Sequence, residues 1–406
     1  MKWENKGHEF DTLGELYKNV NKIYLYGASD NAKEFLECLN NALDRFDGGC
    51  RDLDIYFVDR DENKQRDLFL GTVVLSPDEF VRGFNVTNSI VINCVTEVRQ
   101  DEVWKILEEI VTGRKIDAYN MYEFYRYLSL FIYYRYNKFY LHLVDFYLHT
   151  YCNLNCEGCF VQTYRGVRIR ISESDIKRNL DLLFEKADYI DTITFGISEG
   201  FLGGNGLIEA LNYLNVNYPD RYQKVDIVTN GTLIPDEELL QELRAMKVRV
   251  IVDDYRENVE LANEKYPIVI KKLKENNVRF IELKRDHWDE SAFGEKKIDE
   301  NHQKLSDKIN RCVNHAKGFP YIGYGNGECR IYSCVFQAIN AYLHLVDEQE
   351  SDFLILRDSS PIEILEFILG YSQKGYLSAC ESCKGIFDGV RVNYIPVARQ
   401  PKEENE

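Results

Sequence analysis

Short apolar runs and amphipathic helical patterns alternate through the first hundred residues of the chain. The apolar runs that predict buried strands are residues 22–26, 54–58 and 89–93. Helical patterns follow the first run at residues 32–39 and the third run at residues 99–110. Because alternating strands and helices form parallel sheets, we predict an α/β domain over residues 1–118.

The same alternation returns between residues 144 and 300, where it predicts a second α/β domain. Its predicted strands are residues 144–149, 191–195, 225–233, 248–252 and 278–283. Polar side chains cluster near the ends of the last two strands, where folds of parallel strands carry their chemistry. The candidates for a substrate pocket are Asp253, Asp254, Tyr255, Glu282 and His287. Each of them alone is also compatible with a solvated strand end.

Residues 119–143 are rich in aromatic side chains, with eight tyrosines between Tyr119 and Tyr140. Charged residues such as Glu123 and Arg135 interrupt any apolar run long enough to span a membrane. Tyrosine buries a large ring and keeps a polar tip, so we predict a helical connecting segment that packs between domains or subunits. At the other end, residues 391–406 are predicted to be a polar tail that is frayed from Arg399 onward.

Length and charge narrow the class of protein. With 406 residues, the chain holds two to four domains at roughly 100–200 residues each. The net charge of −17 argues against a nucleic-acid-binding surface. Without a signal-like N-terminal segment or an apolar run of about 18 residues, a cytoplasmic protein with no membrane span is expected. In a reducing compartment, the 11 cysteines are expected to serve metal or redox chemistry rather than disulfides.

The turn after the first predicted strand carries Gly27, where a dinucleotide-binding fingerprint would begin. Ser29 and Ala32 take the places of the other two glycines, so a nicotinamide cofactor is not expected to bind. Asp59 ends the second strand and is a candidate to hold a ribose hydroxyl, although acidic strand ends are common. With the strand and turn at residues 71–77, this region resembles the Rossmann-like domain at the front of several sugar-modifying enzymes. The alternative is that this domain serves in docking or recognition rather than in nucleotide binding.

Three thiols, Cys152, Cys156 and Cys159, crowd into the loop that follows the strand at residues 144–149. Thiolates are the usual ligands of iron-sulfur clusters, and three of them leave one iron of a four-iron cluster open. The spacing of three residues and then two resembles the cluster loop of the radical S-adenosylmethionine superfamily. A zinc knuckle with His149 as fourth ligand and unrelated structural thiols are the alternatives.

Further cofactor contacts follow from this resemblance. It implies that Glu199, forty residues after Cys159, holds the ammonium group of S-adenosylmethionine, although the glycines that precede such a carboxylate in the family are replaced by Ile and Ser. It also implies that Thr229 and Asn230, at the end of the third strand, meet the ribose and carboxylate of the cofactor, and that Phe160 contributes to the same site. The Asn-Gly pair at this strand end is also a common turn. Residues 144–300 would then form the family's partial parallel (β/α)6 barrel.

A second set of thiols lies late in the chain. Its members are Cys312, Cys334, Cys380 and Cys383. Their order resembles the auxiliary-cluster extension called SPASM or twitch, here over residues 301–390, which implies a second 4Fe-4S cluster; a structural zinc would use the same ligand set. Cys329 stands five positions before Cys334, where the family usually has glycine. Cys329 is a candidate for a thiol that returns a hydrogen atom, or it is a buried small hydrophobe.

The resemblance implies an enzyme that cleaves S-adenosylmethionine reductively and abstracts hydrogen from its substrate. A full set of four protein ligands suits an electron-carrying cluster, which favours net oxidation of a sugar, cyclitol or nucleotide-sugar. The alternatives are an epimerase that uses Cys329, an enzyme that modifies ribosomal peptides, and a metal-stabilised scaffold without activity. An electron donor such as flavodoxin or ferredoxin is implied, and a homodimer is an open expectation.

Overall fold

The computed structural model describes residues 1–46, 53–66, 68–95, 97–110, 118–196, 198–289, 301–312, 318–325, 327–387 and 394–401. The chain forms two compact units. One unit is His8–Phe139, and the other combines Met1–Gly7 with Tyr140–Glu406. The finer domain boundaries given above remain predictions.

The unit His8–Phe139 is built on a parallel sheet of five strands in the order β3-β2-β1-β4-β5. Its strands are β1 Lys22–Tyr26, β2 Asp54–Val58, β3 Val74–Leu75, β4 Ser89–Asn93 and β5 Ala118–Asn120. The three strands predicted from apolar runs are therefore confirmed with their bounds. They were recognisable because β1 and β4 lie in the interior of the sheet and consist almost entirely of buried residues.

Helices cover this sheet. They are α1 Asp11–Asn19, α2 Asp30–Leu43, α3 Glu62–Gln65, α4 Pro77–Gly83, α5 Glu97–Ile110 and α6 Met121–Tyr136. Of these, α2, α3, α4 and α6 begin at residues whose side chains cap them. The tyrosine-rich helix α6 starts with a capping box between Asn120 and Glu123. It packs on α1, where the ring centroids of Tyr17 and Phe131 are 5.2 Å apart. The helical character predicted for this segment is confirmed.

The second unit contains an eight-stranded sheet in the order β10-β9-β8-β7-β6-β12-β13-β14. Its strands are β6 Tyr140–Phe146, β7 Tyr189–Phe195, β8 Tyr222–Thr229, β9 Val248–Asp253, β10 Phe280–Leu283, β12 Tyr321–Gly325, β13 Glu328–Tyr332 and β14 Leu354–Ile355. Strands β6 to β10 are all parallel and follow one another, as predicted. The sixth parallel strand is β12, which pairs with β6 at the other side of the sheet. The outer strands β13 and β14 are antiparallel.

Helices α7 to α10 connect the parallel strands, and the later helices accompany β12 to β14. Their bounds are α7 Glu173–Lys186, α8 Asn205–Asn217, α9 Glu237–Ala245, α10 Glu260–Glu275, α11 His302–Arg311, α12 Val335–Tyr342 and α13 Pro361–Ile368. Short 3-10 helices are Thr163–Arg165, Gly200–Gly203, Glu350–Asp352 and Ser378–Glu381. None of the helices in the described ranges is long and apolar enough to cross a membrane.

The first seven residues belong to the second unit and pack on its helix α13. The indole of Trp3 and the backbone N–H of Gly7 both donate to the carboxylate of Glu366, at 2.8 and 2.7 Å. Glu366 is fully buried, so these two donors replace the water that its charge would otherwise require. Lys6 adds an ion pair with Glu363 at 3.1 Å.

The prediction of a polar tail over residues 391–406 is wrong for the part that the structure describes, residues 394–401. Residues 394–401 fold back on the second unit, and β15 Tyr394–Ile395 pairs antiparallel with β11 Trp288–Asp289. Val397 and Ala398 are buried against the loop that carries Cys152, Cys156 and Cys159. Residues 391–393 and 402–406 lie outside the described residues.

Candidate active site

A cavity of about 480 Å³ in the second unit lies at the carboxyl ends of the parallel strands β6 to β9. Side chains that alternate along these strands point into it. Those that line the cavity from the strands are Leu143, Asp145, Thr194, Asp226, Val228, Ile251 and Asp253. The opposite wall includes Tyr321, Val335 and Phe336 from β12 and α12. The cavity is thus enclosed by the parallel strands and by the segment after them.

All three thiols of the loop after β6, those of Cys152, Cys156 and Cys159, line this cavity. Burial raises the pKa of Cys152 to about 11 and that of Cys156 to about 12. The sulfur of Cys152 accepts hydrogen bonds from the Leu154 backbone N–H at 3.4 Å and from the Asn230 amide at 3.6 Å. These donors would stabilise the thiolate that a metal-bound cysteine becomes.

The three thiols are the kind of ligands that a four-iron cluster uses. Among the described residues, no three His, Cys, Asp or Glu side chains are grouped closely enough to hold one metal ion. A four-iron cluster takes each thiolate on a different iron, so its ligands stand further apart while facing the same space. Three thiols around one cavity, two of them with hydrogen-bond donors to sulfur, fit that requirement.

Glu199 lies beside the thiols and also lines the cavity. Its carboxylate is almost fully buried and accepts the backbone N–H groups of Phe201 at 3.1 Å and Asn230 at 2.7 Å. Burial is the main cause that raises its pKa to about 7, while these hydrogen bonds and one from Thr229 oppose the rise. A partly protonated carboxyl group of this kind gains from a cationic ligand.

Gly196 and Gly200 shape the loop that carries Glu199. Gly196 has a φ of +107°, and a Cβ on Gly200 would lie 2.6 Å from the carbonyl oxygen of Val228. Only glycine therefore lets this loop approach β8 closely enough for Glu199 to meet the backbone of Asn230. The two positions flank the Ile-Ser-Glu stretch rather than preceding Glu199 within it.

Thr229 and Asn230 end strand β8 next to the thiol loop, but only Asn230 lines the cavity. The Asn230 amide donates to Cys152 and to the Asn153 side chain, and its oxygen accepts the N–H of Thr232 at 2.9 Å. The Asn230 side chain thus ties the thiol loop to β8. Phe160, which also lines the cavity, is 39% exposed and faces the ring of Phe336.

The five candidates for a substrate pocket divide into two groups. Asp253, Tyr255 and His287 line the cavity. Asp254 instead pairs with Arg256, and Glu282 accepts a hydrogen bond from Tyr266, both outside the cavity lining. Burial raises the pKa of Asp253, its Oδ2 accepts the Tyr255 hydroxyl at 2.9 Å, and its Oδ1 forms an ion pair with the Nε atom of Arg285 at 3.7 Å.

A row of polar side chains, called here the polar layer, runs across the neighbouring strands β6 to β9. Asp145 is in register with Thr194, Thr194 with Asp226, and Asp226 with Arg249. The guanidinium of Arg249 donates twice to Asp226, at 2.9 and 2.6 Å, which neutralises that carboxylate. Hydroxyl and carboxylate groups of Asp145, Thr194 and Asp226 therefore make the depth of the cavity polar.

The four late thiols, those of Cys312, Cys334, Cys380 and Cys383, all line a second, small cavity of about 20 Å³. The ammonium of Lys308 donates to the carbonyl oxygens of Cys380 and Cys383, at 2.6 and 2.9 Å. Burial raises the pKa of Cys380 to about 12 and that of Cys334 further. The structure thus brings the second predicted ligand set together around one space, with a cation beside it.

Two other candidates lie away from both cavities. Cys329 is buried in β13 and is absent from the lining of the large cavity, and burial raises its pKa to about 12. This placement agrees with the alternative of a buried small hydrophobe. The ring nitrogen Nδ1 of His149 accepts the Tyr151 N–H at 3.0 Å, and His149 does not line the cavity with the thiols. The zinc knuckle with His149 as a ligand is therefore not favoured.

The unit His8–Phe139 has its own cavity of about 220 Å³ at the carboxyl ends of β1 and β2. Asp59 lines it, but its carboxylate already accepts the N–H of Ala28 at 3.0 Å, the N–H of Asp61 at 3.0 Å and the ammonium of Lys64 at 2.9 Å. These bonds join the turn after β1 to the end of β2. Asp59 therefore stabilises the structure of this unit, and few of its acceptor sites remain for a ribose hydroxyl.

We expect this unit to bind no nicotinamide cofactor tightly. The fingerprint glycines at positions 29 and 32 are missing, and Asp59 is engaged. Calorimetric titration of the protein with NAD and NADH checks this expectation. A dissociation constant in the low micromolar range would contradict it, and binding that survives Asp59→Asn would show that another residue holds the ribose.

The sequence reasoning missed the contribution of residues 394–401 to the thiol loop. Gln400 donates its side-chain amide to the sulfur of Cys156 at 3.0 Å. The only local signal was the apolar pair Val397 and Ala398, which is unusual in a frayed end and is buried here. Trp288 is a second residue that the reasoning did not single out, and it also lines the cavity.

Comparison with known proteins agrees with this geometry. The family model described as Radical SAM superfamily matches residues 146–317, from the end of β6 to the segment before β12. The loop with Cys152, Cys156 and Cys159, Glu199 and Asn230 all fall within that match. Residues 146–317 thus form a radical SAM domain, and the radical SAM superfamily is a class of enzymes that use a 4Fe-4S cluster and S-adenosylmethionine.

Solved structures show more distant likenesses. A histidine-tagged anSMEcpe with bound AdoMet has 22% identity over 35% of this chain and 42% of its own, at a TM-score of 0.30. BtrN in complex with AdoMet and 2-DOIA has 14% identity over 61% of this chain and 94% of its own, at a TM-score of 0.36. Streptococcus suis SuiB bound to precursor peptide SuiA has 14% identity over 62% of this chain and 65% of its own, at a TM-score of 0.26. TM-scores of this size do not establish a shared substrate. No curated protein sequence matches the chain.

Proposed function

We propose that this protein is a radical SAM oxidoreductase that removes hydrogen from a carbohydrate-like small molecule with net oxidation. The observation that carries the proposal is the single cavity shared by three thiols, Glu199 and the polar layer of the parallel strands. When bound, the cluster supplies the electron that cleaves S-adenosylmethionine to a hydrogen-abstracting 5′-deoxyadenosyl radical. An electron donor such as flavodoxin or ferredoxin would deliver that electron.

Each residue around the cavity has a defined task in this proposal. Cys152, Cys156 and Cys159 hold the cluster, and Glu199 accepts the ammonium group of the cofactor. Asn230 keeps the thiol loop in place through its bonds to Cys152 and Asn153. Phe160, half exposed at the cavity wall, would pack on the cofactor.

The carbohydrate-like substrate follows from the polar layer. Asp145, Thr194 and Asp253 present oxygen atoms to the cavity, and the guanidinium of Arg285, which pairs with Asp253, lines it as well. A polyhydroxylated ligand can form hydrogen bonds with these groups as it displaces water from them, which an apolar ligand cannot do.

The late thiols support the oxidative outcome. Cys312, Cys334, Cys380 and Cys383 surround one space, and four thiolates are a ligand set that suits a second 4Fe-4S cluster. Such a cluster, with all four ligands from protein, would take up the second electron as the substrate is oxidised. Lys308 stabilises the charge of the ligand loop.

The decisive experiment is the release of 5′-deoxyadenosine from S-adenosylmethionine by the anaerobically reconstituted, dithionite-reduced protein. Release that rises in the presence of aminocyclitols, sugars or nucleotide-sugars, but not of peptides, supports the proposal. No release would refute it, and stimulation by peptides alone would overturn the substrate class.

Glu199 leads to a prediction on pH. Since burial raises its pKa to about 7, only part of the carboxyl group is ionised near neutrality. The ionised form attracts the cofactor's ammonium, so the affinity for S-adenosylmethionine should fall as the pH decreases, approaching ~10-fold per pH unit on the acid side. Equilibrium dialysis of the reconstituted protein between pH ~6 and ~7 measures this slope.

The variant Glu199→Gln is the control for this prediction. It removes the titrating group while keeping the size of the side chain, so its weaker affinity should not change over the same pH range. An equal slope in the variant would assign the pH dependence to another group.

A further inference from the structure

The segment of residues 394–401 covers one side of the thiol loop. Ile395 pairs with Trp288, and a Cβ on Gly158 would overlap the Cδ1 atom of Ile395. Gly158 also has a φ of +70°, so both the backbone conformation and the contact with Ile395 favour glycine at position 158. The loop and residues 394–401 are thus shaped to fit each other.

Polar contacts continue this fit towards the end of the segment. The N–H of Glu157 donates to the carbonyl oxygen of Arg399 at 2.7 Å, and the side chains of the two residues form an ion pair. The N–H of Asn155 donates to the Oε1 atom of Gln400 at 3.2 Å. Arg399 and Gln400 thus bind the backbone of the thiol loop at Glu157 and Asn155.

The orientation of the Gln400 amide is determined by its partners. A backbone N–H can only meet the oxygen, so the contact with Asn155 places Oε1 there. Nε2 then faces two acceptors, the carbonyl oxygen of Ala398 at 2.8 Å and the sulfur of Cys156 at 3.0 Å. Both N–H bonds of the amide are used, and one of them points at a predicted cluster ligand.

We infer that Gln400 is a positioning residue for the catalytic cluster: its amide holds the Cys156 sulfur and stabilises negative charge on it. The inference rests on the proposed function, because it requires a cluster at Cys152, Cys156 and Cys159. Hydrogen bonds to ligand sulfurs stabilise the more negative, reduced cluster over the oxidised one, and they slow loss of the metal. Gln400 would therefore raise the reduction potential of this cluster and retain its iron.

The experiment compares reconstituted wild-type protein with Gln400→Leu, Gln400→Glu and Gln303→Leu. Gln400→Glu keeps the length of the side chain and the acceptor for Asn155 but has no donor for Cys156. Gln303 is an exposed amide on α11 that contacts Asp307, so Gln303→Leu is a matched control for removing a glutamine. Iron is withdrawn with a chelator, the freed thiols are alkylated, and labelled peptides are identified by mass spectrometry.

Both Gln400 variants should label the peptide with Cys156 about 10-fold faster than wild type, while labelling of Cys380 and Cys383 stays unchanged. The reduction midpoint of the catalytic cluster, followed by electron paramagnetic resonance, should shift to more negative potential in both variants and not in Gln303→Leu. A role in packing alone would leave the reduction midpoint of Gln400→Leu like that of wild type, because this variant removes the donor without the added charge of Gln400→Glu.

The outcomes separate this inference from the proposed function. If wild-type protein holds no iron at Cys152, Cys156 and Cys159, the proposed function and the inference both fail. If wild type holds iron there and Gln400→Glu labels and titrates like wild type, the inference on Gln400 is wrong and the proposed function stands.

Discussion

Replacing Cys152, Cys156 and Cys159 together with alanine is expected to abolish cleavage of S-adenosylmethionine and to leave about four of about eight irons per chain. The three thiols line the large cavity, and the four late thiols line a separate small one, so each set should load on its own. Iron analysis after anaerobic reconstitution and an assay for 5′-deoxyadenosine measure the two effects.

The control for this variant is Cys94→Ala, since Cys94 is buried in the other unit and belongs to neither set. It should keep the wild-type iron content and activity. Cleavage that persists in the triple variant would remove the assignment of the catalytic cluster. Loss of all iron would instead show that the two sites do not load independently.

The second large effect concerns the outcome for the substrate. In deuterated water, the protein should form an oxidised product without solvent deuterium on the reacting carbon, because the late thiols can hold an electron acceptor. Replacing Cys380 and Cys383 with serine should abolish this product while cleavage of S-adenosylmethionine continues. Mass spectrometry of the product and quantification of 5′-deoxyadenosine measure both.

Cys329→Ala separates oxidation from epimerisation. A hydrogen-returning thiol has to reach the substrate, and Cys329 is buried in β13 outside the cavity lining, so the variant should form the oxidised product as wild type does. A product with the substrate's mass plus one deuterium, absent in Cys329→Ala, would replace the dehydrogenase with an epimerase.

The strands that the sequence predicts well are those with continuous apolar composition. The bounds of β1 and β4 were predicted to the residue, because both are almost wholly buried within a parallel sheet. Strand β6 begins at Tyr140, four residues before its predicted start, because its first residues were assigned to the tyrosine-rich segment. Tyrosine and histidine at the start of a strand do not distinguish it from a helix end.

In the candidate site too, some residues are recognisable from the sequence and others only from the fold. Clustered thiols are recognisable because ligands of one metal centre are often close in sequence, and all seven line cavities here. The role of Gln400 was not visible, because its partner Cys156 lies 244 residues away and a polar chain end has no periodicity to interpret. Likewise, only the fold shows that Asp253 lines the cavity while the neighbouring Asp254 pairs with Arg256.

The attachment of Met1–Gly7 to helix α13 has a consequence for how the chain folds during synthesis. The residues that contact Trp3 and Gly7 leave the ribosome more than 350 positions later, whereas all strands of the unit His8–Phe139 are already available. This unit can fold first, and the initial segment docks only when Glu366 has been made. Because Trp3 then moves from water to a buried carboxylate, its fluorescence reports the final step of folding.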